Sequence, residues 1–166
     1  MEFCNSEALR EFWYPVAESA DINAGVHAIR LLGTDYALWR STDGTLVGAP
    51  DRCPHREAPL SIGSVENGLL VCAYHGWSFG DGGRCVEVPS SGSGAPVPKA
   101  AHLGCARVEE RYGLVWMCPG EPRASIPGMA WEDDPRFRRI NTGIEVWQTS
   151  ATRMVDNFLD ISHFPW

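Results

Sequence analysis

Cys53-Pro54-His55, followed after sixteen intervening residues by Cys72-Ala73-Tyr74-His75, is the stretch on which the fold of this chain turns. Each short motif supplies one Cys and one His. An iron–sulfur centre that binds one iron through two thiolates and the other through two imidazoles needs this mixed set, and two equivalent loops, each following a strand, can clamp it from both sides. A zinc site takes four Cys and His ligands at similar spacings and is the competing possibility. The surroundings favour the binuclear centre: Gly76, next after the second His, lets backbone approach closely, and further glycines fall where loops must turn sharply. Zinc needs neither.

Outward from these loops the chain reads as mainly β. Runs rich in β-branched and aromatic residues recur at 36–39, 45–47, 69–73, 85–88, 105–108 and 114–118. Turn chemistry separates them at Thr42-Asp43-Gly44, Glu66-Asn67-Gly68, Gly80-Asp81-Gly82-Gly83 and Arg111-Tyr112-Gly113, so hairpins are expected. A Pro, Ser and Gly-rich loop covers 89–98, and 119–135 has the texture of a linker that ends the β domain. Residues 152–164 (TRMVDNFLDISHF) lack turn signals and place apolar side chains round a helical wheel, which predicts a helix made for burial. Its exceptions, Asp156, Asp160 and His163, share one polar stripe.

Bulk properties bound the rest. With 166 residues, 44% of them hydrophobic, the chain can bury a core for one domain and the beginning of a second without disulfides. The first residues have neither a basic n-region nor an apolar h-region, and no apolar run is long enough to span a bilayer, so a cytoplasmic protein with no membrane role is expected. Its six cysteines are then reduced unless a metal takes them. A formal charge of −7 disfavours nucleic acid and anionic membranes and suits a cationic protein partner. Cys4, Cys85, Cys105 and Cys118 stand singly, and three of them lie in strand-like runs where a free Cys acts as a small hydrophobe. His27 and His102 also lack partners in sequence.

The segments WYPVAES (13–19), CPHREAPLSIG (53–63), CAYHGWSF (72–79) and ERYGLVWMCPG (110–120) resemble the N-terminal half of Rieske non-haem iron oxygenase α subunits, nearest the phthalate and vanillate type. That resemblance implies a Rieske 2Fe-2S cluster on Cys53, His55, Cys72 and His75. It also implies a fold in which a Rieske-type antiparallel β domain with a small cluster-binding subdomain and linker (1–142) precedes the first helix of an α+β catalytic domain cut short (143–166). Respiratory Rieske proteins carry an extra Cys in each loop, but Ala58 and Tyr74 stand here. High-potential members place a hydroxyl after His-Gly and a Tyr four residues after the last ligand, donors that hold the reduced cluster. Trp77 and Phe79 occupy those places, so a potential near the bottom of the range, on the order of −150 mV, is implied. Trp77 is expected both to pack in the core and to shield the cluster from water.

Asn157 to His163 resembles the family's Asp-x-x-His-x4-His element, with His163 as the first of two histidines on a mononuclear non-haem Fe(II); the second, and the carboxylate completing the triad, would follow Trp166. By the same resemblance Asp160 bridges electrons from cluster to iron, meeting His75 across subunits of a homotrimer. The implied activity is that of a mono- or dioxygenase: a reductase fed by NAD(P)H, or a ferredoxin, supplies electrons, and O2 is used to oxidise a small aromatic or hydrophobic substrate. On this view the chain is part of a longer polypeptide and is inactive alone. A Rieske ferredoxin acting as electron carrier is the alternative; it needs only the β domain, and the linker and helix count against it.

Overall fold

The computed structural model of the chain describes residues 6–23, 25–92 and 94–161. Among them are ten strands: β1 (Tyr14–Glu18), β2 (His27–Leu31), β3 (Thr34–Arg40), β4 (Leu46–Pro50), β5 (Ser64–Glu66), β6 (Leu69–Val71), β7 (Ser78–Phe79), β8 (Cys85–Glu87), β9 (Arg107–Arg111) and β10 (Leu114–Cys118). They pair antiparallel in three sheets of order β1-β10-β9, β2-β3-β4 and β5-β6-β7-β8. Three hairpins close through two residues of positive φ, at Leu32-Gly33 (48°, 75°), Asn67-Gly68 (51°, 77°) and Tyr112-Gly113 (61°, 69°). Such turns carry the twist of the flanking strands. Two of the three are among the expected turns; Leu32-Gly33 is not, because leucine carries no turn signal.

The middle sheet separates two cores, and β3 shows why its sequence is apolar on both faces. Tyr36 and Leu38 point into a core shared with Ala17, Leu46, Val115 and Met117. Ala37 and Trp39 point into the other, which includes Cys53, Leu60, Leu70, Cys72 and Phe79. β4 lies tight against the outer sheet: a Cβ on Gly48 would sit 2.8 Å from Met117 Cε and 2.9 Å from Val108 Cγ2, and the Ala106 N–H donates to the Gly48 carbonyl at 2.8 Å. Arg40 of β3 and Glu110 of β9 add a bidentate ion pair across the same junction, at 2.9 and 2.8 Å. β1 was hidden in sequence by Pro15, which sits where the register with β10 shifts, a position that tolerates a residue without an N–H.

After β10 the chain crosses back over the β9–β10 hairpin without strand or helix until α1 (Ala151–Leu159). Ile126 is buried there, Tyr112 donates its hydroxyl to the Pro127 carbonyl (3.0 Å), and Asn141 Nδ2 donates to the Tyr112 carbonyl (3.3 Å). The helix departs from expectation in extent and setting. Ser150 caps its start by accepting the Arg153 N–H at 3.3 Å, and it ends at Leu159 with Asp160 and Ile161 outside it; 162–164 of the expected span lie outside the described residues. Within these bounds Ala151, Met154, Val155, Phe158 and Leu159 fall at i, i+3, i+4, i+7 and i+8, so the apolar residues form one stripe and not a full wheel. No residue of α1 is buried, and Phe158 and Leu159 are largely exposed. Among the described residues no helix is long and apolar enough to cross a membrane.

Candidate metal centre

Loop 1 leaves β4 and loop 2 leaves β6, and both adopt the same backbone frame. The Cys53 N–H donates to the Ala58 carbonyl (2.9 Å) and the Glu57 N–H to the Cys53 carbonyl (2.8 Å). In loop 2 the Cys72 N–H donates to Trp77 (2.9 Å) and the Gly76 N–H to Cys72 (2.9 Å). The residue four after each Cys has positive φ, 58° at Glu57 and 70° at Gly76. Glycine adopts this conformation freely, and its bare Cα also admits Pro89, whose Cγ would lie 3.1 Å from a Cβ there. At the base of loop 1, Asp51 accepts both the N–H and the hydroxyl of Ser61 at 2.6 Å. The loops differ in one offset: His55 follows its Cys by two residues and His75 by three.

This frame brings the four expected side chains together as two pairs. Cys53 and Cys72 are each 2% exposed and belong to one core. His55 is half-buried and His75 exposed, with ring centroids 4.8 Å apart and planes at 69°. Trp77 lies parallel to His55, 4.7 Å between centroids at 6°, and Tyr74 tilts against His75 at 3.9 Å and 56°. Burial pushes the Cys53 thiol up to about 11, against N–H groups of His55 and Arg56 that favour the thiolate, and the Cys72 thiol beside it adds to the rise. His55 is held below the usual imidazole range, first by burial and then by His75 and Arg56. A buried thiol raised in this way resists ionising unless a metal ion draws the charge. Among the described residues no group of three or more His, Cys, Asp or Glu side chains is gathered at one point; Cys53 with Cys72 and His55 with His75 are brought together as pairs. A thiol pair and an imidazole pair on two matched loops are the donor types of a mixed-ligand 2Fe-2S cluster, which these residues fit.

The other sulfurs stay apart. Burial raises the Cys105 thiol to about 11 and also raises Cys85 and Cys118, as befits small hydrophobes. Cys4 lies outside the described residues. So does His163, and the placement of Asp160 on the helix it was expected to share is corrected by the structure. Asp160 is the residue at which α1 ends, with extended φ and ψ of −81° and 97°, its N–H donating to the Asp156 carbonyl at 3.1 Å. Sequence reasoning missed the Asp51–Ser61 brace and the Tyr74–His75 contact. Neither has a motif: the brace depends on where the loop returns in space, and the contact of neighbouring Tyr74 and His75 on how their two rings are turned.

The Rieske [2Fe-2S] domain family matches residues 12–106. The chain is similar to methylxanthine N1-demethylase of Pseudomonas putida, 35% identical over 95% of this chain and 47% of the relative. It is also similar to the oxygenase component of dicamba O-demethylase of Stenotrophomonas maltophilia, 36% identical over 93% of this chain and 46% of the relative. The solved structure of the Pseudomonas putida CBB5 protein NdmA superposes with a TM-score of 0.87 at 34% identity, covering 96% of this chain and 50% of that one. The chain thus spans about half the length of the curated relatives it matches. With a thiol pair and an imidazole pair on two matched loops, it belongs to the Rieske [2Fe-2S] domain family.

Proposed function

We propose that Cys53 and Cys72 hold one iron of the cluster and His55 and His75 the other. The observation that carries this is the shared backbone frame, which presents a buried thiol pair and an outer imidazole pair. When bound, the cluster takes up and releases single electrons. The chain's own contribution is to bury the sulfurs, direct N–H groups of His55 and Arg56 at the Cys53 sulfur, and leave the imidazoles at the rim where an electron can enter or leave. The test is substitution. Cys53→Ser and Cys72→Ser should each abolish the visible and paramagnetic signals of the cluster, and Cys105→Ala should keep them. A Cys53→Ser protein with an unaltered spectrum would overturn the assignment.

In the complete protein this chain is the electron-accepting part of the terminal component of a mono- or dioxygenase, an oxidoreductase. It receives electrons from an NAD(P)H-dependent reductase or a ferredoxin and delivers them towards a mononuclear non-haem Fe(II) site, where O2 serves to oxidise a small aromatic or hydrophobic substrate. His163 is one iron ligand, and Asp160 carries the link between the two metal sites. Residues 1–142 form the cluster domain with its linker and 143–166 begin the catalytic domain; the assembly is a cytoplasmic homotrimer. Support comes from similarity that runs through 93–95% of the chain, past the β domain, to relatives named demethylases of methylxanthine and dicamba. A free-standing carrier would need no segment after β10, so the Rieske ferredoxin is the weaker reading.

A further inference from the structure

Away from the metal centre, the turn that closes the β5–β6 hairpin joins a reactive dipeptide to a group that can activate it. Asn67 is the only asparagine in the chain followed by glycine. Asparagine is a thermolabile residue, and with no side chain at Gly68 the peptide nitrogen there has an unhindered path to the Asn67 side-chain carbon. The packing makes that glycine obligatory, since its φ is 77° and a Cβ on it would sit 2.3 Å from the Thr42 backbone nitrogen and 2.5 Å from its Cα. Asn67 is exposed, and among the described residues neither its side-chain amide nor the Gly68 N–H makes a hydrogen bond. Attacker and target are both uncommitted. The Thr42 hydroxyl, however, donates to the Asn67 carbonyl at 3.3 Å. That carbonyl and the Gly68 nitrogen belong to one peptide unit, whose resonance places the charge of the deprotonated form largely on oxygen. A hydrogen bond to an oxygen that gains charge strengthens as the charge develops, so Thr42 eases deprotonation of the Gly68 nitrogen.

We propose that Asn67 is a modification site that turns into isoaspartate without an enzyme, with Thr42 as the promoting group, and that the product loosens the hairpin leading into loop 2. The Gly68 nitrogen, its proton lost to hydroxide, bonds to Asn67 Cγ. The bond from Cγ to the side-chain nitrogen breaks, ammonia leaves with a proton taken back from water, and a cyclic imide remains. Water then opens the imide, at Cγ to give aspartate or at the former peptide carbonyl to give isoaspartate, and nothing is oxidised or reduced. A groove of about 530 Å³ bordered by Thr42, Asn67 and Gly68 admits that water. Isoaspartate routes the chain through the side chain and so adds a methylene to a turn that closes in two residues. Gly68 is thereby drawn off Thr42, and the shift passes into β6, whose last residue, Val71, precedes Cys72. The modification itself is independent of the cluster; its effect there rests on Cys72 being a ligand.

The test ages the intact cluster-loaded protein in mildly alkaline buffer at fixed temperature. Peptide mass spectrometry follows the change from amide to acid, and isoaspartyl O-methyltransferase with labelled S-adenosylmethionine counts isoaspartate. Asn67 should convert several-fold faster than Asn141 and Asn157, with isoaspartate as the main product. Thr42→Val, which keeps the shape and lacks the hydroxyl, should slow Asn67 several-fold and leave Asn141 unchanged, and Thr42→Ser should keep the original rate. An Asn67 that ages no faster than Asn141, or a Thr42→Val rate equal to or above that of the unsubstituted protein, would overturn the proposal. Should Thr42→Val not fold, Thr42→Ala is read in its place, and the comparison of Asn67 with Asn141 stands by itself. For the link to loop 2, the isoaspartate-rich fraction is separated by ion exchange and the half-life of its chromophore compared with that of Asn67→Asp, which carries the same charge on an ordinary backbone. The fraction should bleach several-fold faster and Asn67→Asp should match fresh protein; equal half-lives would overturn the link. Absence of the chromophore from fresh protein would strike the ligand assignment and not the chemistry at Asn67.

Discussion

Exchanging the residue types at the two positive-φ positions should affect the loops in opposite ways. A side chain in the left-handed region costs about 1–2 kcal/mol relative to glycine. Gly76→Ala incurs that cost, recovers about 0.5–1 kcal/mol from the reduced freedom of the unfolded chain, and brings a Cβ to 3.1 Å from Pro89 Cγ, a ring that cannot swing away. The net is a loss of about 1–2 kcal/mol. Glu57→Gly relieves the same strain at a φ of 58°, loses the entropy term, and gives up an exposed ion pair with Arg52. An exposed pair is worth about 0–1 kcal/mol, so the sum lies near zero. Cluster loss makes unfolding irreversible, so the readout is the half-life of the visible chromophore at fixed temperature in mild denaturant. If loop opening gates the loss, Gly76→Ala should shorten it about 5- to 30-fold, and Glu57→Gly should leave it within about twofold. An unchanged half-life for Gly76→Ala, or a collapse for Glu57→Gly, would refute the equivalence of the loops.

Three further outcomes follow from named side chains. Asp43, in the turn between β3 and β4, is held at about 2 by the Ser41 hydroxyl and the Thr45 N–H, below its usual 3.8. A depressed carboxylate contributes stability above its unfolded value and loses it as pH falls through the folded one, so Asp43→Asn should make acid unfolding shallower by about one proton, seen by circular dichroism. Phe79 is fully buried and offers no hydroxyl, so protein-film voltammetry should place the cluster low, on the order of −150 mV, and Phe79→Tyr should raise it; a potential well above zero for the unsubstituted protein would contradict this. Asp160→Asn in the complete enzyme should leave the cluster reducible yet lower single-turnover product by orders of magnitude, because an amide cannot match the charge-assisted hydrogen bonds of a carboxylate. A normal rate would show Asp160 to be only the residue that ends α1.

What was legible in the sequence was what local chemistry dictates. The two Cys and His motifs named side chains that the structure brings together as two pairs, Cys53 with Cys72 and His55 with His75, and Asn67-Gly68 and Tyr112-Gly113 marked hairpins because positive φ needs particular residues. β1, β2, β5 and β7 were not foreseen. β7 is two residues long, β5 is three, β1 carries a proline, and the burial of β2 alternates only between half-buried and exposed, so none shows the apolar run that betrays β3. The helix was foreseen but drawn too long, since its apolar stripe suggested a cover that the described residues do not provide. The stacking of Trp77 on His55 and the brace of Asp51 on Ser61 depend on backbone paths that return loops to one another, and no spacing rule encodes them.

The central claim is that this chain holds two irons, one on thiolates and one on imidazoles. Electron paramagnetic resonance of the dithionite-reduced intact protein, with metal and sulfide analysis of the same sample, tests it most directly. The account predicts about two irons and two sulfides per chain, a paramagnetic reduced state, and hyperfine coupling to two histidine nitrogens. About one zinc per chain and no signal on reduction would contradict it.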